Sequence, residues 1–465
     1  MHDHAERGKV RRHSTVKRNE KNAPESTSSR RPLKRALTAQ ADKADAVNGG
    51  GRLSGRRFLL LQGPQSGFFR ILAKRLRREG AWVEKVCFCG GDVLLWKSLD
   101  ALWYRGDIYQ WPAYFGRLCR EKGVTDICLY GDWRPLHWPA VRIARERGIH
   151  VWVFEEGYLR TGYSTLEENG VNGRSLLPRN PDEIVRMARG LPEPCPVSYA
   201  NDIRDKVLKA IEHHFGNVIL WPFFRKYRTH RPKNIFFELI GILPRFLTRR
   251  ARREKSLAML KAFYKDPRPF FFFPLQLVND SQIQLYSPYV RVEEALADVL
   301  SSFAKSAPLA ARLLIRDHPL DNGLVDYRAF ISGLANELGI GDRVVYVEDG
   351  DTHKMVQKSR GVVLVNSTVG LMAIGEGKPV YCLGHSIYRI PGLAQSFSTN
   401  SLESFWTAPK EPNPRLFLDF RKVLAARALV RGNFYSEVGM KAAVFDSVSR
   451  FMAVQSPDMT QQQAG

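Results

Sequence analysis

The stretch RRFLLLQGPQSGFFRILAKRLRREGAWVEKVCFCGGD, residues 56–92, sets a pattern that the rest of the chain repeats. Four apolar residues at 58–61 predict a buried strand, and the glycines and proline of 63–67 predict a turn. Apolar positions at helical spacing predict a helix over 68–78, and a second apolar run predicts a strand over 82–88. A strand, a helix and a second strand in this order are typical of a parallel βαβ unit.

The same alternation continues along two blocks of the chain. In the first block it predicts helices at 111–122 and 136–147 and strands at 126–130 and 150–154. In the second block the strands are predicted from PFFFFPLQLVNDSQI, ARLLIRDHP, RVVYVED, GVVLVN and PVYCLG, with helices between them. We therefore expect an α/β protein with two doubly wound, Rossmann-like domains and a cleft between them. Ligands of such sheets bind beyond the carboxyl ends of the strands.

Changes in composition divide the chain further. Residues 1–54 are rich in Arg, Lys, Ser and Asn and contain almost no aromatic residues, so they cannot bury a core. The expected order is a disordered basic tail at 1–54, an N-terminal Rossmann-like domain at 55–200, a basic amphipathic helical linker at 201–265, a C-terminal Rossmann-like domain at 266–400, C-terminal helices at 401–450 and a disordered tail at 451–465.

The composition limits the class of protein. Of 465 residues, 44% are hydrophobic and 25% are charged, which is typical of a soluble globular protein. No apolar run reaches the ~20 residues of a membrane span, and the first residues lack the apolar core of a secretory signal. We therefore expect a cytoplasmic protein. Six scattered cysteines fit no standard zinc spacing, so we expect reduced thiols and no metal site.

The net charge of +24 predicts attraction to an anionic partner. No nucleic-acid-binding motif is present, which favours an anionic lipid or an acidic substrate over nucleic acid. Residues 221–255, between the two blocks, combine short apolar clusters with dense Arg and Lys. Two interpretations stay open: a solvated helical linker, or an interfacial segment at 235–243 that places apolar residues among anionic headgroups.

Polar side chains stand at the ends of three predicted strands of the second block. Asn366, Ser367 and Thr368 stand where a strand runs into a helix, and the free N–H groups of a helix start bind anions such as a phosphate. Ordinary helix capping is the alternative. Further along that helix, Glu376 could accept hydrogen bonds from a ribose. The full set of candidates for nucleotide binding is Gln276, Asp280, Ser281, Arg316, His318, Pro319, Asn366, Ser367, Thr368 and Glu376.

Carboxylates and arginines stand at the ends of two predicted strands of the first block, in YGDWRPLH and FEEGYLR. Carboxylates beside a sugar can act as nucleophile or as acid–base catalyst, and an arginine can pair bidentately with an anionic substrate. An ion-pair lattice at a domain edge is the alternative. The glycine loop LQGPQSG matches neither the dinucleotide fingerprint nor the P-loop. The candidates for catalysis are Glu156, Asp132 and Glu155, and those for sugar or acceptor contacts are Gln62, Gly63, Arg134, His137 and Arg160.

These motifs resemble a known family. FLLLQGPQSGFFRILAKRLRREG, YGDWRPLHWPA, FEEGYLR, TLEENGVN, PLQLVNDSQI, HPLD, NSTVG, GHSIYRIPGL and GNFY are similar to the bacterial capsular polysaccharide biosynthesis/export family. Within that family the likeness is greatest to the single-module β-Kdo transferases that start a Kdo linker on a lipid. The resemblance spans about 57–435, with the motifs in the same order.

The resemblance implies a GT-B glycosyltransferase that transfers Kdo from CMP-Kdo, with retention, to lyso-phosphatidylglycerol at the cytoplasmic face of the inner membrane. It implies that the first domain holds the acceptor and the catalytic carboxylate, Glu156 or Asp132. The second domain would hold CMP through His318 and the turn at 366–368. No cofactor and no metal are implied, and other capsule proteins are expected partners.

The chain departs from the family pattern at three places. Thr161 and Gly162 stand where a proline and a polar residue are expected, Cys89 replaces an asparagine before two glycines, and Asp317 replaces a basic or aromatic residue. Two further hypotheses therefore stay open. One is a non-catalytic export or assembly factor, and the other is a transferase of the same fold with another cytidine-activated donor.

Overall fold

The computed structural model describes residues 51–159, 162–199, 203–228, 248–277, 281–319, 321 and 323–454, and for residues 203, 281 and 282 the backbone alone. The predicted segment at 235–243 and most of both predicted tails lie outside these ranges. Residues 51–54 are described: Leu53 is buried, and its N–H donates to the Glu79 carbonyl oxygen at 2.9 Å. The two sheets described below belong to one unit of the chain, Gly51–Gly465.

The first half of the chain builds a mainly parallel sheet in which six strands follow one another along the sequence. Phe58, Leu59 and Leu60 are fully buried, as expected for a parallel strand covered on both faces. The strands are β1 (Arg57–Leu60), β2 (Trp82–Cys87), β3 (Leu102–Trp103), β4 (Asp126–Tyr130), β5 (His150–Glu156) and β6 (Tyr163–Glu168), in the spatial order β6-β5-β4-β1-β2-β3 with β6 antiparallel to β5. The helices are α1 (Phe68–Arg78), α2 (Gly90–Trp96), α3 (Trp111–Lys122) and α4 (His137–Glu146).

Three helices and two single 3₁₀ turns connect the sheets within the described residues. The 3₁₀ turns are Asn172–Arg174 and Trp221–Phe223, and the helices are α5 (Pro181–Ala188), α6 (Ile203–Ile219) and α7 (Arg249–Phe263). Helix α6 packs on α2, where a Cβ on Gly90 would lie 1.9 Å from the Gly216 carbonyl oxygen. The start of the predicted linker therefore packs against the first sheet's own helices.

The second half builds a sheet whose six strands are all parallel. Its strands are β7 (Phe270–Pro274), β8 (Arg312–Arg316), β9 (Val344–Val347), β10 (Gly361–Leu364), β11 (Val380–Cys382) and β12 (Gln395–Ser396), in the order β12-β11-β10-β7-β8-β9. Its helices are α8 (Ser281–Tyr286), α9 (Val292–Ser306), α10 (Tyr327–Glu337), α11 (Thr352–Lys358), α12 (Val369–Gly375), α13 (Leu402–Thr407) and α14 (Pro414–Ala428). Separate apolar cores cover the two faces. The predicted fold class, two doubly wound Rossmann-like halves as in GT-B proteins, is confirmed.

After α14 the chain returns to the first sheet. Strand β13 (Leu429–Arg431) pairs antiparallel with β6 as a seventh strand, and α15 (Glu437–Ala453) packs beside α1. The Phe451 and Phe58 ring centroids lie 5.4 Å apart. The segment expected as separate helices at 401–450 is therefore shared between the two sheets. Among the described residues, no helix is both long and apolar enough to cross a membrane.

Candidate functional site

The carboxyl ends of β1, β4 and β5 bring several predicted residues together. Arg134 Nη1 donates to Gln62 Oε1 at 2.8 Å, and the guanidinium lies over the Tyr130 ring, 5.2 Å from its centroid. Gly63 packs so tightly on Phe69 that a Cβ there would lie 2.8 Å from the ring. The parallel register of β1, β4 and β5 places these strand ends side by side. The predicted first-domain set is therefore partly assembled at one sheet edge.

Glu155 is the half-buried carboxyl of this edge. Its Oε1 accepts the Glu156 N–H at 3.1 Å, and a Cβ on Gly131 would lie 3.4 Å from its Oε2. Gly131 has φ +69, so a glycine suits both the backbone and the close approach. Burial raises the pKa of Glu155 from 4.5 to about 7, against the opposing effect of Arg134. A carboxyl with this pKa can exchange a proton near neutral pH.

Glu156 is exposed and belongs to a different environment. Its Oε1 lies 3.2 Å from Lys206 Nζ on α6 and accepts a hydrogen bond from the Tyr435 hydroxyl at 3.2 Å. The Lys206 ammonium also lies over the Tyr435 ring, 4.7 Å from its centroid. Two adjacent carboxyls on β5 therefore differ sharply in burial and partners, because successive strand residues point to opposite faces.

Asp132 lies where the two halves of the protein meet. Its side chain is fully buried, and Oδ1 accepts a hydrogen bond of 3.1 Å from the Tyr286 hydroxyl at the end of α8. Oδ2 lies 3.8 Å from Arg174 Nη1, and the Arg174 guanidinium stacks 3.9 Å from the Trp138 ring centroid. Burial raises the pKa of Asp132, although Arg174 and Tyr286 oppose the effect. This carboxyl joins the first sheet's site to the second half.

A buried network holds the turn that presents Arg174. The Tyr158 hydroxyl donates to Glu167 Oε1 at 2.6 Å and accepts the Asn172 N–H at 2.6 Å, while the Ser175 hydroxyl donates to Glu167 Oε2. Burial raises the pKa of Glu167 from 4.5 to about 7. The 3₁₀ turn at 172–174 is thus held by side chains from β6, from the β5–β6 connection and from Ser175.

His137 supports the β4 turn from inside. Its ring Nδ1 lies 2.7 Å from the Gly131 carbonyl oxygen, and the side chain is buried. The structure thus places His137, a predicted sugar or acceptor contact, beneath the β4 turn, with its ring beside the Gly131 carbonyl oxygen. Arg160 and Asp280 lie outside the described residues, and the Ser281 side chain is likewise not described.

The second sheet brings three of its predicted strand ends together. Gln276 and Asn366 form a reciprocal pair: Gln276 Nε2 donates to Asn366 Oδ1 at 2.9 Å, and the Asn366 N–H donates to Gln276 Oε1 at 3.0 Å. Because β8 pairs with β7 next to β10, Arg316 and His318 end the adjacent strand. Arg316 is buried and donates to the Thr352 hydroxyl at 2.8 Å, whereas His318 is half-buried and Pro319 is exposed.

The turn before α12 is supported by the motif GHSIYRIPGL. The Tyr388 hydroxyl donates to the Ser367 carbonyl oxygen, and a Cβ on Gly370 would lie 2.3 Å from the Tyr388 ring. Thr368 is the N-cap residue, and Ser367 Oγ accepts the Val369 N–H at 3.3 Å. Ser367 thus bonds a backbone N–H at the helix start, whereas Thr368 makes no side-chain capping hydrogen bond, and both side chains are partly exposed.

Glu376 lies at the other end of α12. It is exposed and accepts hydrogen bonds from His353 Nε2 at 2.8 Å and Gln357 Nε2 at 3.0 Å. It also lines a hollow of about 600 Å³ with Arg360 and Lys378, beside the amino ends of β10 and β11. A seven-residue helix separates it from the turn at 366–368 by about 10 Å. The structure therefore does not bring Glu376 to the ribose position that the sequence suggested.

A buried polar cluster next to Gln62 has the residue types of a metal site. The ligating atoms of Cys89, Asp92 and His213 lie within 4.8 Å of one another. Among the described residues, this is the one group of three or more His, Cys, Asp or Glu side chains close enough to hold a metal ion. Gln62 Nε2, however, donates to Asp92 Oδ1 at 3.2 Å and lies 3.6 Å from Cys89 Sγ. Asp92 Oδ2 also accepts the Phe88 N–H at 3.0 Å. Gln62 Nε2 therefore competes with a cation for two of the three groups.

Several residues of the site were not predicted from the sequence, although two of them stand in motifs quoted above. Tyr388 follows GHSI in GHSIYRIPGL and Tyr435 ends GNFY, whereas Arg174 stands two residues after TLEENGVN. Tyr286 and Lys206 stand in no quoted motif. They belong to the site because Tyr286 contacts Asp132 of the first half and Lys206 contacts Glu156.

Comparison with known proteins shows which family this chain belongs to. The family described as "Capsule polysaccharide biosynthesis protein" matches residues 125–435. The chain is 33% identical over 388 residues to the capsule polysaccharide export protein KpsS of Escherichia coli, covering 82% of this chain and 98% of that protein. It is 32% identical over 396 residues to the capsule polysaccharide modification protein LipB of Neisseria meningitidis serogroup A, covering 83% and 93%.

Among solved structures, the KpsC β-Kdo 2,7 transferase of Thermosulfurimonas dismutans is similar at a TM-score of 0.42 and 14% identity, covering 85% of this chain and 100% of that one. The length of the family match and the identity to KpsS decide the assignment. As its motifs predicted, the chain belongs to the capsule polysaccharide biosynthesis protein family.

Proposed function

We propose that this protein is a glycosyltransferase that moves Kdo from CMP-Kdo, with retention, onto lyso-phosphatidylglycerol, which starts the linker of a capsule polysaccharide. Family membership supports a role in capsule synthesis. The observation that carries the transfer reaction is Glu155, a half-buried carboxyl with a pKa of about 7 at the carboxyl end of β5. The reaction is proposed to need neither a cofactor nor a metal ion, and to take place at the cytoplasmic face of the inner membrane.

The second sheet would hold the CMP part of the donor. Strand ends with Gln276, Arg316, His318 and the turn at 366–368 lie side by side at its carboxyl edge. The Gln276–Asn366 pair holds the backbone of that turn in place, so the N–H groups and hydroxyls after it are preorganised for a phosphate. This is the edge at which doubly wound sheets bind nucleotides.

The proposed reaction breaks the bond between the anomeric carbon and the phosphate oxygen of CMP-Kdo, and CMP leaves with the electron pair. Retention needs two displacements, so a carboxylate first bonds to the anomeric carbon and the acceptor hydroxyl oxygen then replaces it. Glu156 is the candidate for the first step, since Asp132 is fully buried and bonded by Tyr286. Glu155 would take the proton of the acceptor hydroxyl, and Arg134 beside it would pair with the Kdo carboxylate.

The test measures CMP release from CMP-Kdo with a lyso-phosphatidylglycerol analogue. We expect Glu155→Gln to lower kcat by about 10²-fold or more, because acid–base catalysis typically contributes 10²–10⁴-fold. Glu156→Gln should abolish product formation if this residue is the nucleophile. Glu121→Gln, an exposed carboxyl on α3, is the matched control and should leave the rate unchanged. Unchanged turnover in both Glu155→Gln and Glu156→Gln would refute the proposed chemistry.

A second candidate function is a non-catalytic export factor that binds the lipid-linked polymer. The name of the relative KpsS, an export protein, favours it. This hypothesis predicts binding of lipid or polymer without any CMP release. The remaining alternative is a transferase that uses a different cytidine-activated donor. Competition between CMP-Kdo and other cytidine-activated sugars distinguishes it from the Kdo transferase, because all these donors share the cytidine and differ in the sugar.

A further inference from the structure

An exposed apolar surface runs along α6. Of the 22 large hydrophobic residues exposed among the described residues, eight lie between positions 207 and 223. Leu208 is 61% exposed, Phe215 59% and Val218 71%. A soluble surface scatters such residues singly, whereas a contiguous group marks an interaction surface. The α6 apolar face is defined by Val207, Leu208, Ile211, Phe215, Val218 and Ile219.

Helical geometry gathers these six residues on one side of α6. At 3.6 residues per turn their positions fall within an arc of about 120°. The opposite side is fixed: His213 and Gly216 are buried against Gly90 and Gly91, and the Gly91 N–H donates to Asn217 Oδ1 at 2.8 Å. The helix cannot turn its apolar side inward without breaking this contact.

The surface continues through the 3₁₀ turn that follows the helix. Trp221 and Phe223 are exposed, and each lies near an arginine. The Arg225 guanidinium is 5.2 Å from the Trp221 ring centroid, and that of Arg105 is 5.4 Å from the Phe223 ring centroid. Aromatic rings beside arginines suit the boundary between lipid headgroups and acyl chains, where both an apolar body and a cation are stabilised.

The net charge around the α6 apolar face indicates which kind of partner it binds. Residues 203–228 contain six Lys or Arg and two Asp or Glu, a net charge of +4. A second copy of the chain would bring the same cations together across a symmetric interface. We infer that the α6 apolar face, with Trp221 and Phe223, docks on the surface of a bilayer that contains anionic phospholipid.

This docking surface adjoins the candidate active site. Lys206, one residue before the α6 apolar face, lies 3.2 Å from Glu156 Oε1. A bilayer seated on α6 would therefore present lipid headgroups close to the carboxyl end of β5. The inference rests on the proposed function for the identity of the acceptor, and on the exposure and charge of α6 for the membrane contact itself.

The test is co-flotation of the full chain with vesicles of phosphatidylcholine that contain phosphatidylglycerol, compared with phosphatidylcholine alone. We expect binding to the anionic vesicles that weakens as salt is raised. The triple variant Ile211→Ser, Phe215→Ser, Val218→Ser should bind at least ~10-fold more weakly, since it loses most of the apolar area that enters the lipid. A matched control, Leu99→Ser, Leu309→Ser, Phe445→Ser, alters three exposed apolar residues elsewhere and should bind like the wild type.

Three results would overturn the inference: equal binding by the triple variant and the wild type, an equal loss in the matched control, or a wild-type dimer that the triple variant converts to monomer. Loss of binding after Ile235→Ser and Leu239→Ser, but not after the triple substitution, would assign docking to the neighbouring segment instead. Glu155→Gln should float like the wild type. If the wild type releases no CMP yet floats through the α6 apolar face, the transferase proposal fails and the docking surface stands.

Discussion

The half-buried carboxyl of Glu155 makes the stability of the fold depend on pH, and Glu155→Gln tests this. In the folded chain burial raises its pKa from 4.5 to about 7. The folded state therefore holds this proton more tightly than the unfolded state does. The resulting stabilisation is fully present below the unfolded pKa and is lost as the pH rises through about 7. Glutamine resembles the protonated carboxyl at every pH, so the variant should gain stability over the wild type as the pH rises.

The size of the effect follows from the pKa. At ~1.4 kcal/mol per pH unit, the rise from 4.5 to about 7 corresponds to at most about 3.5 kcal/mol. Because the side chain is half-buried, solvent screening reduces the effect, and we expect ~2 kcal/mol. Thermal unfolding measures it: the Tm difference between Glu155→Gln and the wild type should be roughly 2–4 °C larger at ~pH 8 than at ~pH 5.

Glu156→Gln is the matched control because it changes the neighbouring carboxyl, which is exposed and paired with Lys206. Exposed ion pairs contribute ~0–1 kcal/mol, so its Tm should differ little from that of the wild type at either pH. The reasoning is refuted if Glu155→Gln shows the same Tm difference from the wild type at both pH values, since the carboxyl would then have an ordinary pKa in the folded protein.

Three other substitutions test packing and the contact between the halves. Tyr286→Phe removes a hydrogen bond to buried Asp132, so the free energy of unfolding in urea should fall by about 1–3 kcal/mol, and an unchanged value would contradict the contact. Gly90→Ala places a Cβ 1.9 Å from the Gly216 carbonyl oxygen, so α6 must shift; we expect a loss of about 1–3 kcal/mol and faster proteolysis within 203–228. Asp126→Ala removes the carboxylate that pairs with buried Arg56, so the loss should reach about 3–5 kcal/mol, and a loss under ~1 kcal/mol would argue against a buried ion pair.

The sheets could be predicted because their strands are buried on both faces. Such strands are near-continuous apolar runs, and the runs at 58–61 and in PFFFFP correspond to β1 and to β7. The last strand could not be predicted in this way. Only three residues long, β13 pairs Val430 with Ser164, and its position depends on contacts that no local pattern encodes.

The candidate site was partly predictable for a similar reason. Strand ends of one parallel sheet share an edge, so the alternation of strands and helices predicts that Gln276 lies near Asn366 and Gln62 near Arg134, whereas their hydrogen bonds are seen only in the structure. The hydrogen bond between Asp132 and Tyr286 joins residues 154 positions apart on different halves, and it depends on how the halves meet. The raised pKa of Glu155 depends on burial, which a sequence does not specify.

The return of the chain to the first sheet has a consequence for synthesis on the ribosome. Arg56 donates a hydrogen bond to the Phe451 carbonyl oxygen, 395 residues further along the chain. The amino-terminal half emerges first, but its apolar interior is completed only when β13 and α15 arrive. A nascent chain must therefore leave one side of its first folded half uncovered until residues 429–453 have been translated, and stop codons before 429 should yield products that chaperones retain or proteases remove.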